Sequence, residues 1–162
     1  MKKTIVIIIG IVVLIAGLMY WSGAAKRKER ADLENMTSRE VALRSTTDKA
    51  TEYHIHPELS IFVNGTEVPV PLNLGVKATG MTAIHTHGEK GIIHVEAPIK
   101  KDFTLGDFFA VWGKDFSSTK LLDNVVSENT EIVVTVNGQK VDTYENTVVR
   151  DKDKIVIIYQ SK

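Results

Sequence analysis

The strongest constraint on this chain is an apolar run near its N-terminus. The eighteen residues from Thr4 to Trp21 carry no charge and are almost all apolar. As an α-helix at ~1.5 Å per residue, this run spans about 27 Å, close to the thickness of the hydrocarbon core of a bilayer. We therefore predict a single N-terminal transmembrane anchor over residues 1–25, which contacts membrane lipid through residues 4–21.

A cleaved export signal is the alternative interpretation of the same segment. The apolar part of a signal peptide is usually ~7–15 residues long, and this run is longer. Small residues follow it at positions 22–25, so the sequence leaves cleavage open. The length favours a retained signal anchor.

The basic residues on the two sides of this anchor support two opposite orientations. Lys2 and Lys3 precede the run, and four basic residues follow it within 26–30. The positive-inside rule then favours a cytoplasmic C-terminal domain. A short basic N-terminus before a first apolar segment is also typical of export, which places the domain outside the membrane. We favour the extracytoplasmic side, because it gives the histidine chemistry described below a natural setting.

The zero net charge of the chain divides into two opposite parts. Residues 1–50 have nine basic and five acidic side chains (+4), whereas residues 51–162 have eleven and fifteen (−4). We interpret residues 26–50 as a charged stalk and residues 51–162 as a folded domain. An acidic domain without a basic stripe predicts no nucleic-acid partner. The absence of cysteine excludes disulfides, thiolate metal sites and thiol catalysis.

Turn signals divide the domain into hairpins. Asn64-Gly65 and Asn137-Gly138 each stand between β-type runs, the pattern of a type I′ turn that needs positive φ at both positions. A third hairpin is predicted around the loop Gly88–Gly91, and a last strand over Lys154–Gln160.

A helix is predicted over residues 103–113. Thr104 suits the N-cap, Asp107 the first turn and Gly113 the position after the helix. The apolar residues have helical spacing and predict a face buried in the core. They are Leu105, Phe108, Phe109 and Trp112.

These elements predict an α+β domain: a small mixed β-sheet with one main crossing helix. Residues 134–159 resemble the end of β-grasp, ubiquitin-like domains, with a strand, an Asn-Gly turn, a strand, and a charged turn into a last strand. The resemblance implies a β-grasp-like fold.

All five histidines lie between positions 54 and 94, and they are the candidate metal ligands: His54, His56, His85, His87 and His94. If Gly88–Gly91 closes the third hairpin, four cross-strand pairs follow: His87 with Ile92, Thr86 with Ile93, His85 with His94, and Ile84 with Val95. Side chains alternate across a strand, so three of the histidines share one face and the core side holds Ile84, Ile93, Val95 and Ala97. Cβ atoms of directly opposed residues lie ~4.5–5.5 Å apart, which lets two imidazoles reach one ion.

His54 and His56 repeat the same spacing on another predicted strand, which Pro57 interrupts. Whether this strand lies beside the hairpin is left open by the sequence. Neutral imidazoles suit copper or zinc ions, and a thioether such as Met81 would help to hold Cu(I). Exposed strand histidines without a ligand are the simpler alternative.

Several of these motifs together resemble a family of largely uncharacterised microbial domains that follow a membrane anchor or an export signal. The shared segments are residues 54–57 (HIHP), 85–87 (HTH), 91–96 (GIIHVE) and 103–113 (FTLGDFFAVWG). The resemblance covers residues 52–160, and it implies metal binding and an extracytoplasmic location.

Three classes of function fit this sequence. The first is a membrane-anchored module that binds, stores or transfers copper or zinc, with a metal-donor or metal-acceptor protein as partner. The second is a metal-dependent enzyme that uses three histidines and a glutamate, Glu96 or Glu89, as base. The third is a protein-interaction module without a metal. An exposed face with several histidines favours the first class.

Overall fold

The computed structural model of this protein describes residues 2–46, 51–78 and 80–162. It divides into two compact units, residues 1–36 and residues 37–162. Residues 47–50 of the predicted stalk lie outside the described residues, and the rest of that stalk includes the end of the first helix and all of the second.

The first unit is one long helix, α1 (Lys2–Asn35). The large apolar side chains between Ile7 and Trp21 are exposed around its whole circumference. Among the described residues, one helix is long and apolar enough to cross a membrane, over Ile7–Asn35. An export signal near an N-terminus meets the same criterion, so this finding concerns length and composition.

The second unit combines short helices with several sheets. Its helices are α2 (Ser38–Leu43) and α3 (Leu105–Trp112), with a 3₁₀ turn at Tyr144–Asn146. Its strands are β1 (Ser45–Thr46), β2 (Tyr53–Ile55), β3 (Glu58–Val63), β4 (Thr66–Glu67), β5 (Val76–Lys77), β6 (Gly80–Thr82), β7 (Ile84–His85), β8 (His94–Ala97), β9 (Lys120–Leu121), β10 (Asn124–Val125), β11 (Thr130–Val136), β12 (Gln139–Val141) and β13 (Lys154–Ser161). The predicted α+β class is confirmed.

The largest sheet has the strand order β12-β11-β13-β3-β4. It is mixed, because β13 runs parallel to β3 and antiparallel to β11. Both Asn-Gly hairpins are confirmed, with Asn64 and Asn137 at φ 50° and 53° and a glycine at positive φ after each. Alternate residues of the three central strands are buried, which places one face of the sheet in the core. They include Leu59, Ile61, Ile132, Val134, Ile155 and Ile157.

Helix α3 has the caps that the sequence predicts. The Thr104 side chain accepts a hydrogen bond from the Asp107 backbone N–H, the Asp107 carboxylate accepts one from the Thr104 N–H, and Gly113 adopts φ 71°. Phe108 and Phe109 are each 1% exposed, so the aromatic face packs in the core. A phenylalanine side chain buried in this way contributes about 1.5–3 kcal/mol.

His54, His85 and His94 lie in a separate three-stranded sheet of order β2-β8-β7. The sequence predicted a single mixed sheet, whereas the described strands fall into four sheets. Pro57 is one physical reason, since it has no N–H for a ladder and lies between the end of β2 and the start of β3. The interruption at Pro57 is therefore confirmed, and β2 and β3 belong to different sheets.

Only half of the predicted third hairpin forms. Ile84 pairs with Val95 and His85 with His94, as expected, but the pairs of Thr86 with Ile93 and His87 with Ile92 are wrong.

The two arms separate because each binds another part of the chain. The Thr86 hydroxyl donates to the Pro71 carbonyl at 2.7 Å, and the Thr86 N–H donates to the Leu74 carbonyl at 3.0 Å. On the other arm, the Leu59 N–H donates to the Gly91 carbonyl at 2.8 Å, which ties the histidine sheet to β3.

Candidate metal centre

All five histidines converge at one end of the β2-β8-β7 sheet. Strand β8 lies in the middle and carries His94, which is opposite His85 on β7. On its other side β8 pairs with β2, where His54 is opposite Glu96. His56 follows β2 directly, and His87 follows β7. The adjacency that the sequence left open is therefore present.

The imidazole rings form a continuous cluster. His94 is central: its ring centroid lies 4.1 Å from that of His87, 4.8 Å from that of His56 and 5.5 Å from that of His85. The rings of His54 and His56 are 4.5 Å apart, and those of His85 and His87 are 5.3 Å apart. His87 therefore belongs to the cluster, although it does not pair with Ile92.

Two groups of three histidines have ligand atoms close enough to hold a metal ion. We call His54, His56 and His94 the β2 triad, and His85, His87 and His94 the β7 triad. Within each triad the ligand nitrogens all lie within 4.8 Å of one another. His94 belongs to both triads. Three convergent imidazoles are a ligand set that zinc and copper use in proteins.

His85 has the most constrained ring. Its Nδ1–H donates to the Thr82 backbone carbonyl, with Nδ1 3.0 Å from the oxygen. A carbonyl oxygen only accepts, so Nδ1 carries the proton and Nε2 is the bare nitrogen of the neutral ring. His85 is 1% exposed, and its Nε2 is buried without a hydrogen-bond partner in the part of the chain that the structure describes.

His94 also buries a nitrogen that makes no hydrogen bond. Its side chain is 14% exposed, and its Nδ1 finds no such partner among the described residues. Burial, and after it the neighbouring imidazoles, lowers the pKa of His94 from 6.5 to about 4. Burial likewise lowers the pKa of His85, against the opposing effect of its bond to the Thr82 carbonyl. Both rings are therefore neutral at pH 7, the form that binds metals.

Carboxylates stand beside the β2 triad. Glu96 Oε1 lies 3.1 Å from His54 Nε2 and 3.9 Å from His94 Nδ1. Asp151 accepts a hydrogen bond from the His56 backbone N–H at 3.0 Å, and the same oxygen is 3.9 Å from His56 Nδ1. A carboxylate at one nitrogen of an imidazole orients the ring and raises its basicity as a ligand.

The β7 triad depends on a tight backbone arrangement around Thr82. The Thr82 hydroxyl donates to the Ile84 carbonyl at 2.5 Å, which fixes the segment that delivers the Thr82 carbonyl to His85. Gly75 packs against this segment at φ 70°. A Cβ at Gly75 would lie 2.7 Å from the Ile84 carbonyl oxygen and would overlap the Thr82 hydroxyl.

Two residues of this site were not predicted from the sequence. Thr82 acts through its backbone carbonyl, which no side-chain pattern can indicate. Asp151 belongs to the charged turn before β13, which the sequence identified as a turn and not as a contact of His56. Met81, the thioether that would help to hold Cu(I) if it lay near the histidines, is on β6 opposite Val76 in a different sheet.

The prediction that all the histidines lie on an exposed face of a sheet is wrong for one of them. His54 and His87 are exposed and His56 is partly so, but His85 is buried. The His85 ring makes a buried hydrogen bond to the Thr82 carbonyl. The predicted core side is confirmed, since Ile84, Ile93, Val95 and Ala97 are each at most 1% exposed.

Comparisons with known protein families, with curated proteins and with solved structures gave no match to this chain. The resemblance to the family of anchored or exported histidine-rich domains stays a prediction.

Proposed function

We propose that this protein is a membrane-anchored metal-binding module whose histidine cluster binds copper or zinc and stores it or transfers it. The observation that carries this proposal is the pair of buried, unbonded imidazole nitrogens, His85 Nε2 and His94 Nδ1, for which no hydrogen-bond partner exists in the described residues. A buried polar atom without a partner costs about 1–3 kcal/mol. A metal ion held by the triads would remove that cost.

The donor set indicates which metals fit. The triads offer imidazole nitrogens, the chain has no cysteine, and the neighbouring side chains include carboxylates. Such sites favour Zn(II) and Cu(II), with Cu(II) the tighter of the two in the general order of divalent metals. Cu(I), which prefers thiolates and thioethers, suits this cluster less well.

The position of Glu96 supports binding over catalysis. A catalytic carboxylate must be available to a metal-bound water. Glu96 instead contacts His54 Nε2 at 3.1 Å, the place of a group that orients a ligand. The metal donor or acceptor would be another protein, which reaches the exposed histidines.

Membrane anchoring by α1 belongs to the same proposal. A helix that is apolar on all sides is stable either in a protein core or in lipid, and the large apolar residues of α1 between Ile7 and Trp21 are exposed. We place the histidine domain on the extracytoplasmic side, where metal exchange with a partner protein has a natural setting. Protease added to intact spheroplasts should then digest the domain; full protection would contradict this orientation.

The five-stranded sheet supports a β-grasp-like arrangement. Its order β4-β3-β13-β11-β12 joins a first hairpin, a later hairpin and a central last strand parallel to the first. Helix α3 lies between the hairpins in the chain. In this arrangement two strands of the histidine sheet, β7 and β8, are inserted between the first hairpin and the helix, and its third strand, β2, precedes that hairpin.

Metal analysis of the full-length protein in detergent tests the proposed function. The protein is equilibrated with Zn(II) or Cu(II), freed of unbound metal, and assayed by mass spectrometry and thermal unfolding. We expect stoichiometric metal and a raised Tm. The variant Q139A/K140A, on the exposed β11–β12 hairpin, is the matched control and should bind equally. Absence of stoichiometric Zn and Cu, with an unchanged Tm, would contradict the proposal.

A further inference from the structure

His94 is the one ring that both triads need. We propose that the two triads are alternative positions for a single ion: the β2 triad takes up and releases the metal, the β7 triad retains it, and His94 serves whichever is occupied. This inference rests on the proposed function and adds to it a route between solvent and the retained position.

Sharing His94 makes the two triads mutually exclusive. A neutral imidazole has one protonated nitrogen and one free lone pair, so it can bind one ion. His94 is half of the His85–His94 cross-strand pair and also lies 4.8 Å, centroid to centroid, from His56. Five histidines arranged in this way complete one set of three at a time.

The ligands proposed for uptake are more exposed to solvent than His85, the ligand proposed for retention. The side chains of His54 and His56 are 49% and 41% exposed, so an ion reaches them from solvent. His85 is 1% exposed, and its ring is already oriented by the Thr82 carbonyl. A ligand that is ordered and desolvated before binding loses little entropy when the metal arrives, which favours retention.

The carboxylates near the cluster also support uptake at the β2 triad. Glu96 and Asp151 lie beside the β2 triad, at 3.1 Å from His54 Nε2 and 3.9 Å from His56 Nδ1. Negative side chains at the mouth of a site raise the local concentration of cations and speed their capture. The contact that orients His85 is a neutral carbonyl.

Zinc exchange on full-length protein in detergent tests the proposal. Affinity is measured by competition with a coloured chelator, and loading and stripping rates by stopped flow. The variant H54A/H56A leaves the β7 triad complete, and H85A/H87A leaves the β2 triad complete. Because His85 is buried, H87A alone serves as a second variant that leaves the core intact, and Q139A/K140A is the control.

We expect one Zn(II) per chain in the wild type. H54A/H56A should keep its affinity within about tenfold but load and release at least about tenfold more slowly. H85A/H87A and H87A should bind about 10–100-fold more weakly while exchanging as fast as the wild type or faster.

Two results would overturn the proposal while metal binding stands. One is simultaneous binding of two ions per chain by the wild type, which would mean separate or bridged sites. The other is unchanged loading and release in H54A/H56A. A wild-type protein without bound zinc would instead contradict the proposed function itself.

Discussion

The two triads share His94 and the same sheet, yet their surroundings differ. In the β7 triad, His85 is buried and hydrogen-bonded to a backbone carbonyl. In the β2 triad, His54 and His56 are about half exposed and stand beside carboxylates. Within the β7 triad, backbone and core packing hold His85 while His87 is exposed, whereas His54 and His56 of the β2 triad both have access to solvent.

This difference indicates a division of roles. A ligand held by the core keeps its geometry when the metal leaves, which supports tight binding. Exposed ligands reorient easily and meet a partner's ligands, which supports exchange. This contrast gives four predictions: two concern the shared His94, and two change the surroundings of one triad only.

Removal of the shared ring should have the largest effect. H94A leaves two histidines in each triad, so we expect zinc affinity to fall about 1,000-fold. This loss exceeds the ~10–100-fold that is typical when a group hydrogen-bonded to a metal ligand is removed. Chelator competition measures this, with Q139A/K140A as control. A smaller loss in H94A than in H54A would show that His94 is not common to both triads.

Acid should destabilise the metal-free fold through His94. Its pKa is about 4 in the folded protein against 6.5 for the ordinary side chain, so the unfolded state binds a proton that the folded state does not. The stabilisation is complete above pH 6.5 and is lost as the pH falls toward 4, by about 3 kcal/mol.

Urea unfolding in a chelator at pH 7 and pH 4 measures this dependence. The variant H94Q isolates His94 from other titrating groups, and we expect the wild type to lose about 3 kcal/mol more than H94Q. Parallel losses in the two proteins would contradict the assignment to His94.

Gly75→Ala should damage the β7 triad selectively. The new Cβ meets the Thr82 hydroxyl and the Ile84 carbonyl, and φ 70° is unfavourable for alanine, so we expect a loss of about 2 kcal/mol in unfolding free energy. Zinc should also bind more weakly, because the Thr82 carbonyl moves away from His85.

Gly138→Ala is the matched control for this substitution. Gly138 has φ 81°, but a Cβ there meets nothing within 4 Å among the described residues. It therefore reproduces the backbone strain without the contact. Equal effects of the two substitutions on zinc affinity would argue against the role of the Thr82 segment.

Glu96→Gln should have the smallest effect, confined mainly to the β2 triad. Loss of the carboxylate at His54 should lower zinc affinity by less than about tenfold, because even H54A/H56A, in which the β7 triad is complete, is expected to stay within about tenfold of the wild type. In the H54A background the substitution should matter less, because the contact at 3.1 Å is already absent. Chelator competition on the four proteins of this cycle measures the coupling, and strict additivity would contradict it.

Local features of this protein were predictable from the sequence because neighbouring residues determine them. The Asn-Gly turns, the capped helix after Thr104 and the His85–His94 pair all depend on short-range spacing. The choice of the residues that face the core in β8 follows from strand alternation.

Other features depend on residues that are far apart in the chain. The pairing of β2 with β8 joins His54 to Glu96, and no local pattern indicates it. The loop after His85 opens because Thr86 binds the Pro71 carbonyl and Gly91 binds β3, contacts that only the folded chain reveals. The contact that orients His85 is local, since Thr82 lies three residues before it, but it is made by a backbone carbonyl and therefore leaves no side-chain pattern in the sequence.

Pulsed electron paramagnetic resonance of the Cu(II)-loaded full-length protein tests the central claim most directly. Among the divalent first-row metal ions, Cu(II) is the one that nitrogen sites bind most tightly, and it is therefore a suitable probe of this cluster. With one Cu(II) per chain, we predict signals from the remote nitrogens of three imidazoles, reduced in H94A and unchanged in Q139A/K140A. A Cu(II) spectrum without imidazole nitrogen, or one that H94A leaves unaltered, would contradict a metal centre built around His94.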